Sequence, residues 1–406
     1  MSKLICLPKE CTACNLCVNI CPKDCISIYS NNTELYAVKD ENICINCGLC
    51  EKVCPSLQEP AGNAPQKAFA AWANNKETHK QSASGGIAAE IYRYALSQGW
   101  GIVGVLFNDS FEAVYKVTTN ANDITSFQNS KYVYSSPRDV YMQVRMLCKN
   151  GKKVVFIGLP CHVAAMATMA ERFKFRNQLL LVDLACHGTP SPILFKDHLN
   201  ALLSKQKEKV SKVYFRDPSF GTQNFFFSLY HEDKLLLRSK ISEDLYCYGY
   251  HHGLIYRECC YQCKYAKRTR FGDLTLSDYR GLGTVSLYND NRTKVSCILV
   301  NTQRGENWLV SMNTLVLHLR PIDEPIIHER VFNLPYKRKP EVDEFKISYA
   351  AKNDFDRSIQ PLVERLSVIE KKKARNSKII LRKVADYIIP YRLKFYIKHL
   401  MKKIML

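Results

Sequence analysis

Cysteines recur at one fixed spacing near the start of this 406-residue sequence. The pattern C-x2-C-x2-C-x3-C-P is written twice, and each copy ends on a proline, Pro22 or Pro55. Thiolates at this spacing are ligands of [4Fe–4S] clusters, because one loop supplies three sulfurs and the other repeat supplies the fourth. The sequence therefore predicts two [4Fe–4S] clusters, the first on Cys11, Cys14, Cys17 and Cys54 and the second on Cys44, Cys47, Cys50 and Cys21.

Two other uses of these cysteines fit less well. Zinc sites use cysteine pairs at longer separations. Disulfides need an oxidising compartment, and the opening Met-Ser-Lys-Leu-Ile-Cys lacks the features of a signal peptide. We therefore expect a cytoplasmic protein whose eighteen cysteines serve metal binding and redox chemistry. Cys6 and Cys25 lie outside the spacing, and we expect them to pack in the interior.

A second set of cysteines follows two apolar runs further along the chain. Cys161 follows the run at 153–157, and Cys186 follows the run at 179–184. If both runs are neighbouring parallel strands, these cysteines lie at one sheet edge, and Cys161 also begins a helix, which favours its thiolate. Cys260 and Cys263 add a C-x2-C pair among basic residues. The four cysteines fit a third metal site, and their spacing alone leaves an iron–sulfur cluster, a zinc ion and no metal open.

The elements that must position these residues are short strands and intervening helices. Branched apolar runs at 101–107, 153–157 and 179–184 predict buried parallel strands, and helical patterns occupy 87–98, 163–173 and 192–203. Residues 225–237 and 294–301 predict further strands in a second antiparallel layer. The predicted fold class is α/β, α+β overall. A ferredoxin-like domain (1–57) and a linker (58–66) precede a core with a mixed, largely parallel sheet (67–349) and a basic amphipathic helical tail (350–406).

The net charge of +20 is unevenly distributed. Residues 370–406 hold twelve Lys or Arg against two acidic residues, and their apolar residues recur at helical spacing on both sides of Pro390. A basic amphipathic tail can bind the surface of an anionic membrane, and it can equally pack on the protein or on a partner. No apolar run reaches the ~20 residues of a membrane span. Because the charge lies in the tail and the core has no nucleic-acid motif, no nucleic-acid partner is expected.

A glycine-containing stretch, Ser82–Ala83–Ser84–Gly85–Gly86, precedes the predicted helix at 87–98. Glycines let the backbone approach a ligand closely, and the free amides at a helix start favour an anion. The sequence contains neither the GxGxxG pattern of dinucleotide sites nor a P-loop.

Six motifs in the same order resemble the beta-subunit family of coenzyme F420 hydrogenases and dehydrogenases. The motifs are SASGG (82–86), KYVYS (131–135), KKVVFIGLPCHVAAM (152–166), VDLACHGTPSP (182–192), CYQCKYAKRTRFGDLTLSDYRG (260–281) and ILVNTQRG (298–305). The resemblance runs from the two-cluster repeat to beyond residue 301 and leaves out the tail from about residue 354. One local departure is Tyr279–Arg280–Gly281, where many relatives carry Phe-Trp-Gly.

The resemblance implies an iron–sulfur flavoprotein with FAD in its core. It implies that Ser84, Gly85 and Gly86 hold phosphate or flavin, that Lys131 and Tyr132 line the flavin, and that Lys131 and Cys161 act in catalysis. It also favours a third [4Fe–4S] cluster, with Cys161, Cys186, Cys260 and Cys263 as its ligands.

The expected function is an oxidoreductase that passes electrons between a two-electron small-molecule substrate at FAD and one-electron clusters, with a protein as electron donor or acceptor. The substrate is coenzyme F420 or another small molecule, such as a sugar precursor, a pigment or a quinone. Two alternatives belong to other classes: an electron-carrying subunit without catalysis, and a basic iron–sulfur protein that binds nucleic acid.

Overall fold

A small antiparallel sheet and two short helices form the amino-terminal module. The computed structural model describes residues 2–220, 225–288 and 294–388. The elements of the module are β1 (Ser2–Leu4), α1 (Leu16–Ile20), β2 (Ile26–Ser30), β3 (Leu35–Asp40) and α2 (Leu49–Lys52), and its strands pair in the order β1–β3–β2. Asn15 and Gly48 precede the two helices with φ of +63° and +68°. Asn and Gly tolerate this left-handed conformation better than other residues do. Here they turn the chain within each cysteine loop.

The remaining elements alternate between strand and helix. The first half contains β4 (Lys67–Ala73), α3 (Lys76–Gln81), α4 (Ile87–Ser97), β5 (Gly101–Phe107), β6 (Ala113–Thr118), α5 (Ile124–Phe127), α6 (Val140–Lys149), β7 (Val154–Gly158), α7 (Pro160–Arg172), β8 (Leu179–Leu184) and α8 (Pro192–Leu203). The second half contains β9 (Lys212–Tyr214), β10 (Phe226–His231), β11 (Lys234–Lys240), α9 (Leu245–His251), α10 (Glu258–Tyr261), β12 (Leu274–Asp278), β13 (Ser296–Val300), α11 (Gln303–Ser311), β14 (Leu315–Arg320), α12 (Asp323–His328), α13 (Glu341–Lys352) and α14 (Phe355–Ile388). Single 3-10 turns lie at Ala121–Asp123, Arg176–Gln178 and Arg330–Phe332.

An eight-stranded mixed sheet runs through the core in the order β14–β4–β13–β12–β8–β7–β5–β6. Its centre, β12–β8–β7–β5, is parallel, and the strands on either side join antiparallel. The apolar side chains of β7 and β8 are buried on both faces, as expected for parallel strands covered by helices. This mixed α/β arrangement with an amino-terminal ferredoxin-like region confirms the predicted fold class.

Three local predictions need correction. The predicted strand at 225–237 is a hairpin, β10 and β11, whose connection includes Glu232 at φ +51°. Together with β9 it forms the antiparallel layer, whereas the run at 294–301 becomes β13 of the main sheet. Helix α7 begins at Pro160, three residues before the predicted start, because Pro is favoured in the first turn of a helix.

The predicted linker, residues 58–66, packs closely on the core. Asn63 and Arg270 exchange two backbone hydrogen bonds of 2.7 and 2.8 Å, and the amide of Gln66 donates to the carbonyl of Val300 at 2.7 Å. Gly62 lies so close to the side chain of Thr269 that an added Cβ would overlap it. The backbone of this segment is therefore held by the core.

The described part of the tail also packs on the core. Helix α14 buries Phe355, Ile359 and Leu362 in the main apolar cluster. Pro361 lacks the amide that would bond to the carbonyl of Arg357, and the ammonium of Lys352 donates to that carbonyl instead, at 3.1 Å. Residues 389–406, which include Pro390 and the apolar positions predicted beyond it, lie outside the described residues. Among the described helices, none combines the length and the apolar character that a membrane span requires.

A buried histidine fastens α14 to the core. The ring of His198 on α8 lies 2.5 Å from Oδ1 of Asp356 on α14 and 3.0 Å from Oδ2 of Asp244, which caps α9. Burial acts to lower the pKa of His198, but the two carboxylates outweigh it and raise the pKa to about 9.

We expect this histidine to make stability depend on pH. Because the folded-state pKa lies above the unfolded value, the stabilisation is complete below about pH 6.5 and is lost as the pH rises toward about 9; it amounts to roughly 3 kcal/mol. His198→Gln should therefore lower the urea midpoint at about pH 6 and have little effect at about pH 9.5. His231→Gln is the control, because the ring of His231 bonds a neutral group, the backbone carbonyl of Lys209. An equal loss for His198→Gln at both pH values would contradict this account.

Candidate metal centres and cofactor pocket

The first predicted ligand set, which we call cysteine site 1 (Cys11, Cys14, Cys17 and Cys54), surrounds one small cavity in the module. Cys6 lies at the same cavity, and its hydrogen bonds lower the pKa of Cys11 to about 7 and that of Cys54 to about 6. The amide of Ala37 also points at the sulfur of Cys11, at 3.4 Å. These interactions favour the thiolates of Cys11 and Cys54, the form that binds metal, whereas burial raises the pKa of Cys14 to about 12 and also raises that of Cys17.

Cysteine site 2 (Cys21, Cys44, Cys47 and Cys50) lines a larger cavity of about 160 Å³. The amide of Asn46 donates to the sulfur of Cys44 at 3.3 Å. Cys25 borders the same cavity, with its sulfur 3.4 Å from that of Cys21. Cys47 is exposed, so this site opens to solvent on one side. Cys6 and Cys25, which we expected only to pack in the interior, therefore lie beside the predicted ligands.

Cysteine site 3 (Cys161, Cys186, Cys260 and Cys263) lines a cavity where β7 and β8 end. Cys161 lies in the first turn of α7, Cys186 follows β8, and the C-x2-C pair comes from the segment after α9. Burial raises the pKa of Cys186 to about 12 and that of Cys263 to about 11. Cys260 differs, because a hydrogen bond from Cys259 lowers its pKa to about 6. The amide of Thr189 also donates to the Cys260 sulfur at 3.4 Å.

A cavity of about 310 Å³, the cofactor pocket, adjoins cysteine site 3. Leu159, Cys186, Gly188 and Thr189 border both cavities. Of the residues predicted to hold a cofactor, Ser84, Gly86, Lys131 and Tyr132 line the pocket. This volume lies at the lower end of the ~300–1,000 Å³ typical of ligand pockets.

Gly85 is placed differently from its neighbours. Its amide donates to Oγ of Ser296 on β13 at 2.9 Å, and Gly85 is absent from the pocket lining. A Cβ at this position would overlap the carbonyl oxygen of Ala71 on β4. The glycine is therefore explained by close packing on the sheet, whereas Gly86, at φ +83°, starts α4 at the pocket.

Lys131 reaches the pocket from the loop after α5. Its ammonium donates to the carbonyls of Gln128 and Asn129, at 2.9 and 3.3 Å, and lies 5.9 Å from the ring centre of Phe107. Burial lowers its pKa to about 7. Lys131 is thus half-buried, and its amine can lose a proton near neutral pH.

Four buried polar atoms at the pocket find no hydrogen-bond partner in the described part of the chain. They are Nε2 of Gln128, Oδ1 of Asn129, Nε of Arg216 and Oγ of Ser277. Buried polar groups are nearly always hydrogen-bonded, so an unpaired one needs an explanation, such as a missing water, ion or ligand. Two of these atoms are donors, one is an acceptor and one is a hydroxyl. The pocket therefore suits a ligand that carries both donors and acceptors.

Sequence reasoning missed Arg216 in this pocket. Its guanidinium donates to Oδ2 of Asp278 at 2.8 Å and to the carbonyl of Ala83 at 2.9 Å, so it joins the SASGG stretch to the end of β12. Asp278, the partner of Arg216, directly precedes the YRG segment that departs from the family pattern. This departure was the one feature of the sequence that pointed to this part of the pocket. Arg216 itself belongs to no spaced motif.

Comparison with known protein families identifies the core. The model for the C-terminal part of the coenzyme F420 hydrogenase/dehydrogenase beta subunit matches residues 151–325, and the model for the N-terminal part of the same beta subunit matches residues 68–140. The chain belongs to this family. Two models described as 4Fe-4S dicluster domain match residues 10–57 and 43–91. This member of the F420 hydrogenase/dehydrogenase beta-subunit family therefore carries an amino-terminal iron–sulfur module and is an electron-transfer protein.

Similar proteins span parts of this family member. The F subunit of the F(420)H(2) dehydrogenase of Methanosarcina mazei is 22% identical over 217 residues, which are 51% of this chain and 60% of that protein, so the chain spans less than two thirds of it. Ferredoxin 7Fe of Hydrogenibacillus schlegelii is 46% identical over 39 residues, 10% of this chain and 45% of the ferredoxin. A chain in the structure of the F420-reducing [NiFe] hydrogenase complex from Methanosarcina barkeri aligns with 76% of this chain and 94% of its own, with TM-score 0.42 and 18% identity.

At Tyr279–Arg280–Gly281, where the sequence departs from the family pattern, two side chains make contacts with neighbouring elements. The hydroxyl of Tyr279 donates to Glu324 at 2.7 Å, and the guanidinium of Arg280 pairs with Glu329 at 2.9 Å. Both contacts tie the end of β12 to the segment from α12 onward. In this family member the two side chains therefore hold neighbouring elements together.

The packing of Gly85 gives a direct test of its role. Gly85→Ala should lower the free energy of unfolding by about 1–3 kcal/mol, because the added methyl would overlap the carbonyl oxygen of Ala71 on β4 and crowd Ser296 on β13. Gly101→Ala is the matched control, since its added Cβ would approach the end of the Leu147 side chain no closer than 3.2 Å. Denaturant unfolding of both variants measures the difference. A Gly85→Ala protein as stable as Gly101→Ala would show that Gly85 is not required for packing.

Proposed function

We propose that this chain is an iron–sulfur flavoprotein that transfers electrons between a small-molecule two-electron substrate at FAD and [4Fe–4S] clusters at the three cysteine sites. The observation that carries the proposal is the order in which the four cavities adjoin. The cofactor pocket shares four residues with cysteine site 3, and site 3 shares Thr12 with site 1. Site 1 neighbours site 2 through the packing of α1 on α2. Burial raises the pKa of Cys17 in site 1, and Cys50 of site 2 adds a small contribution in the same direction.

The cofactor pocket supports FAD through its unpaired polar atoms and its aromatic wall. Gln128, Asn129, Arg216 and Ser277 offer donors and acceptors to a ligand, and the ring of Tyr132 stacks on Tyr250 with centroids 4.3 Å apart. When bound, FAD supplies the conversion between two-electron and one-electron transfer.

Individual residues of the pocket take separate roles in this proposal. Ser84 and Gly86 hold a phosphate at the start of α4, where free amides favour an anion. Lys131 holds or releases a proton beside the substrate, because its pKa of about 7 lets it do either near neutral pH.

Cysteine site 3 supports a cluster in place of a single zinc ion. In the described part of the chain, no three Cys, His, Asp or Glu side chains are placed to hold one metal ion. Ligands of a [4Fe–4S] core stand further apart than ligands of one ion, since the core fills the space between them. A bound cluster at each site supplies one-electron transfer. Cys161, in the first turn of α7, has a catalytic role in this proposal because it is a ligand of the cluster next to the cofactor pocket.

The family suggests a substrate, and the exposed part of the module suggests where a protein partner would bind. Coenzyme F420 is the first candidate, because it appears in the names of the family and of the relatives. Another small molecule fits the same chemistry, since fold alone does not fix the substrate. A protein electron carrier would meet the module at site 2, where Cys47 is exposed. The division into 1–57, 58–66, 67–349 and 350–406 stays a prediction, as does contact of the tail with a membrane.

Anaerobic purification with analysis of iron, sulfide, zinc and flavin per chain tests the proposal. We expect about twelve irons and one FAD, because three four-iron clusters and one flavin fill the four cavities. About eight irons and no flavin, after an attempt to reconstitute with FAD, would leave a two-cluster electron carrier and refute the flavoenzyme.

A cysteine variant tests site 3 separately. Cys161→Ser should reduce the iron content by about a third, abolish turnover and leave the clusters of the module intact. Cys148→Ser is the matched control, because Cys148 is buried in α6 away from all three sites and should keep its full iron content. Unchanged iron and turnover in Cys161→Ser would show that site 3 holds no cluster.

A pocket variant tests flavin binding. Gln128→Leu removes one unpaired donor and should raise the dissociation constant for FAD about tenfold, the value of one hydrogen bond. Gln178→Leu removes a donor that is already bonded, at 2.9 Å to the carbonyl of Cys148, so it should cost stability without affecting FAD. Fluorescence titration of the flavin-free protein gives both constants. Equal affinities would place the flavin away from Gln128.

A further inference from the structure

Arg257 lies between cysteine sites 1 and 3 with only 1% of its surface exposed. Nη1 of its guanidinium donates to the carbonyl of Thr12, in the loop of site 1, at 3.1 Å. Nη2 donates to Oγ1 of Thr189 at 2.9 Å, and Thr189 donates in turn to the sulfur of Cys260 at site 3. The side chain thus contacts the polypeptide around both sites.

Within the described residues, Arg257 lacks the carboxylate partner that the other buried arginines have. Arg216, Arg270 and Arg320 each pair with an aspartate or glutamate at 2.7–2.8 Å. In the described ranges, the polar partners of the Arg257 guanidinium are two carbonyls and a hydroxyl, all of them neutral. A buried charge without a counter-ion is strongly destabilising, so the fold implies a negative group that completes this environment.

The cavity that Arg257 borders is lined by cysteine sulfurs, which become negative when they bind a metal. Arg257 borders the cavity of site 3 together with its four cysteines. The Tyr134 ring lies 4.7 Å from the guanidinium carbon, and its hydroxyl donates to the carbonyl of Ala13 at 2.6 Å. Arg257 and Tyr134 therefore hold two consecutive carbonyls of the site 1 loop against site 3.

We propose that Arg257 is the counter-ion of an anionic iron–sulfur cluster at cysteine site 3 and raises its reduction potential. The proposal rests on the cluster assigned to site 3 under the proposed function. Four thiolates around the iron–sulfide core leave the site with a net negative charge, and one added electron makes it more negative by one unit. No bond forms or breaks in this step. A fixed positive charge in a site shielded from water stabilises the more negative, reduced form. Arg257 is thus a positioning and tuning residue that does not touch the substrate.

A redox titration of the full-length, cluster-loaded protein, followed by EPR, tests the role of the charge. The signal of the site 3 cluster is the one missing from Cys161→Ser. Arg257→Gln should shift the ratio of reduced to oxidised cluster at least tenfold toward the oxidised form at a fixed potential, equivalent to about 59 mV for one electron. Arg257→Lys keeps the charge and should stay close to the wild type.

Lys264→Gln is the matched control. Lys264 follows Cys263 directly, but its side chain is 42% exposed and pairs loosely with Glu10 at 3.8 Å. Water screens such a charge, so its removal should shift the same signal much less than Arg257→Gln does. A shift in Lys264→Gln as large as that in Arg257→Gln would show that any nearby cation acts equally, and would overturn the specific role of Arg257.

The remaining outcomes are also decisive. Full iron content with an unchanged site 3 potential in Arg257→Gln would overturn the proposal while leaving the proposed function intact. If Arg257→Gln loses the site 3 cluster and Arg257→Lys keeps it, the charge is needed for assembly, which supports the proposal. If both lose it, the shape of the guanidinium matters and its charge does not, which overturns the proposal. A wild-type protein with about eight irons would refute the site 3 cluster itself, and the role of Arg257 with it.

Discussion

The ion pair between Asp183 and Arg270 is the interaction on which the arrangement of the sites depends. Both residues are buried, and Oδ1 of Asp183 accepts from Nη2 of Arg270 at 2.7 Å. The other carboxylate oxygen accepts from the amides of Phe271 and Gly272, at 3.2 and 2.9 Å. The remaining guanidinium hydrogens reach the carbonyls of Tyr265, Lys267 and Leu184. A buried pair is tolerated only when its donors and acceptors are satisfied in this way.

This ion pair fixes three segments relative to one another. Asp183 lies near the end of β8, three residues before Cys186, and Arg270 lies seven residues after Cys263, so two halves of cysteine site 3 meet at the pair. The backbone of Arg270 also pairs with Asn63, which brings the amino-terminal module to the same place. Removing one partner of a buried ion pair is strongly destabilising, because the other charge stays buried without a counter-ion. The hydrogen bonds around this ion pair thus hold the cysteines of site 3 and the linker to the amino-terminal module in fixed relative positions.

The sequence allowed the fold class to be predicted, and it grouped the cysteines that line each cavity, because both depend on local spacing. Their role as cluster ligands stays a prediction. The module repeats one cysteine pattern, and the strand-end positions of Cys161 and Cys186 follow from short apolar runs. What was missed depends on contacts between distant segments. Arg216 and Arg257 are single arginines without a spaced motif, and their roles come from neighbours more than sixty residues away in sequence. Gly85 belonged to a stretch that suggests a phosphate site, yet its close contact with β4 could be recognised only after β4 and β13 were paired.

The hydrogen-bonded linker has a consequence for how the protein delivers electrons. A free segment between two domains would let them move relative to each other, and their separation would then depend on the length and stiffness of that segment. Here Asn63 and Gln66 anchor the connecting segment, and Arg257 and Tyr134 hold the first cysteine loop from the other side. These contacts therefore hold the module at a fixed distance from the core. Under the proposed function the cysteine sites would form a relay of constant length, and a protein partner would have to dock on the module itself.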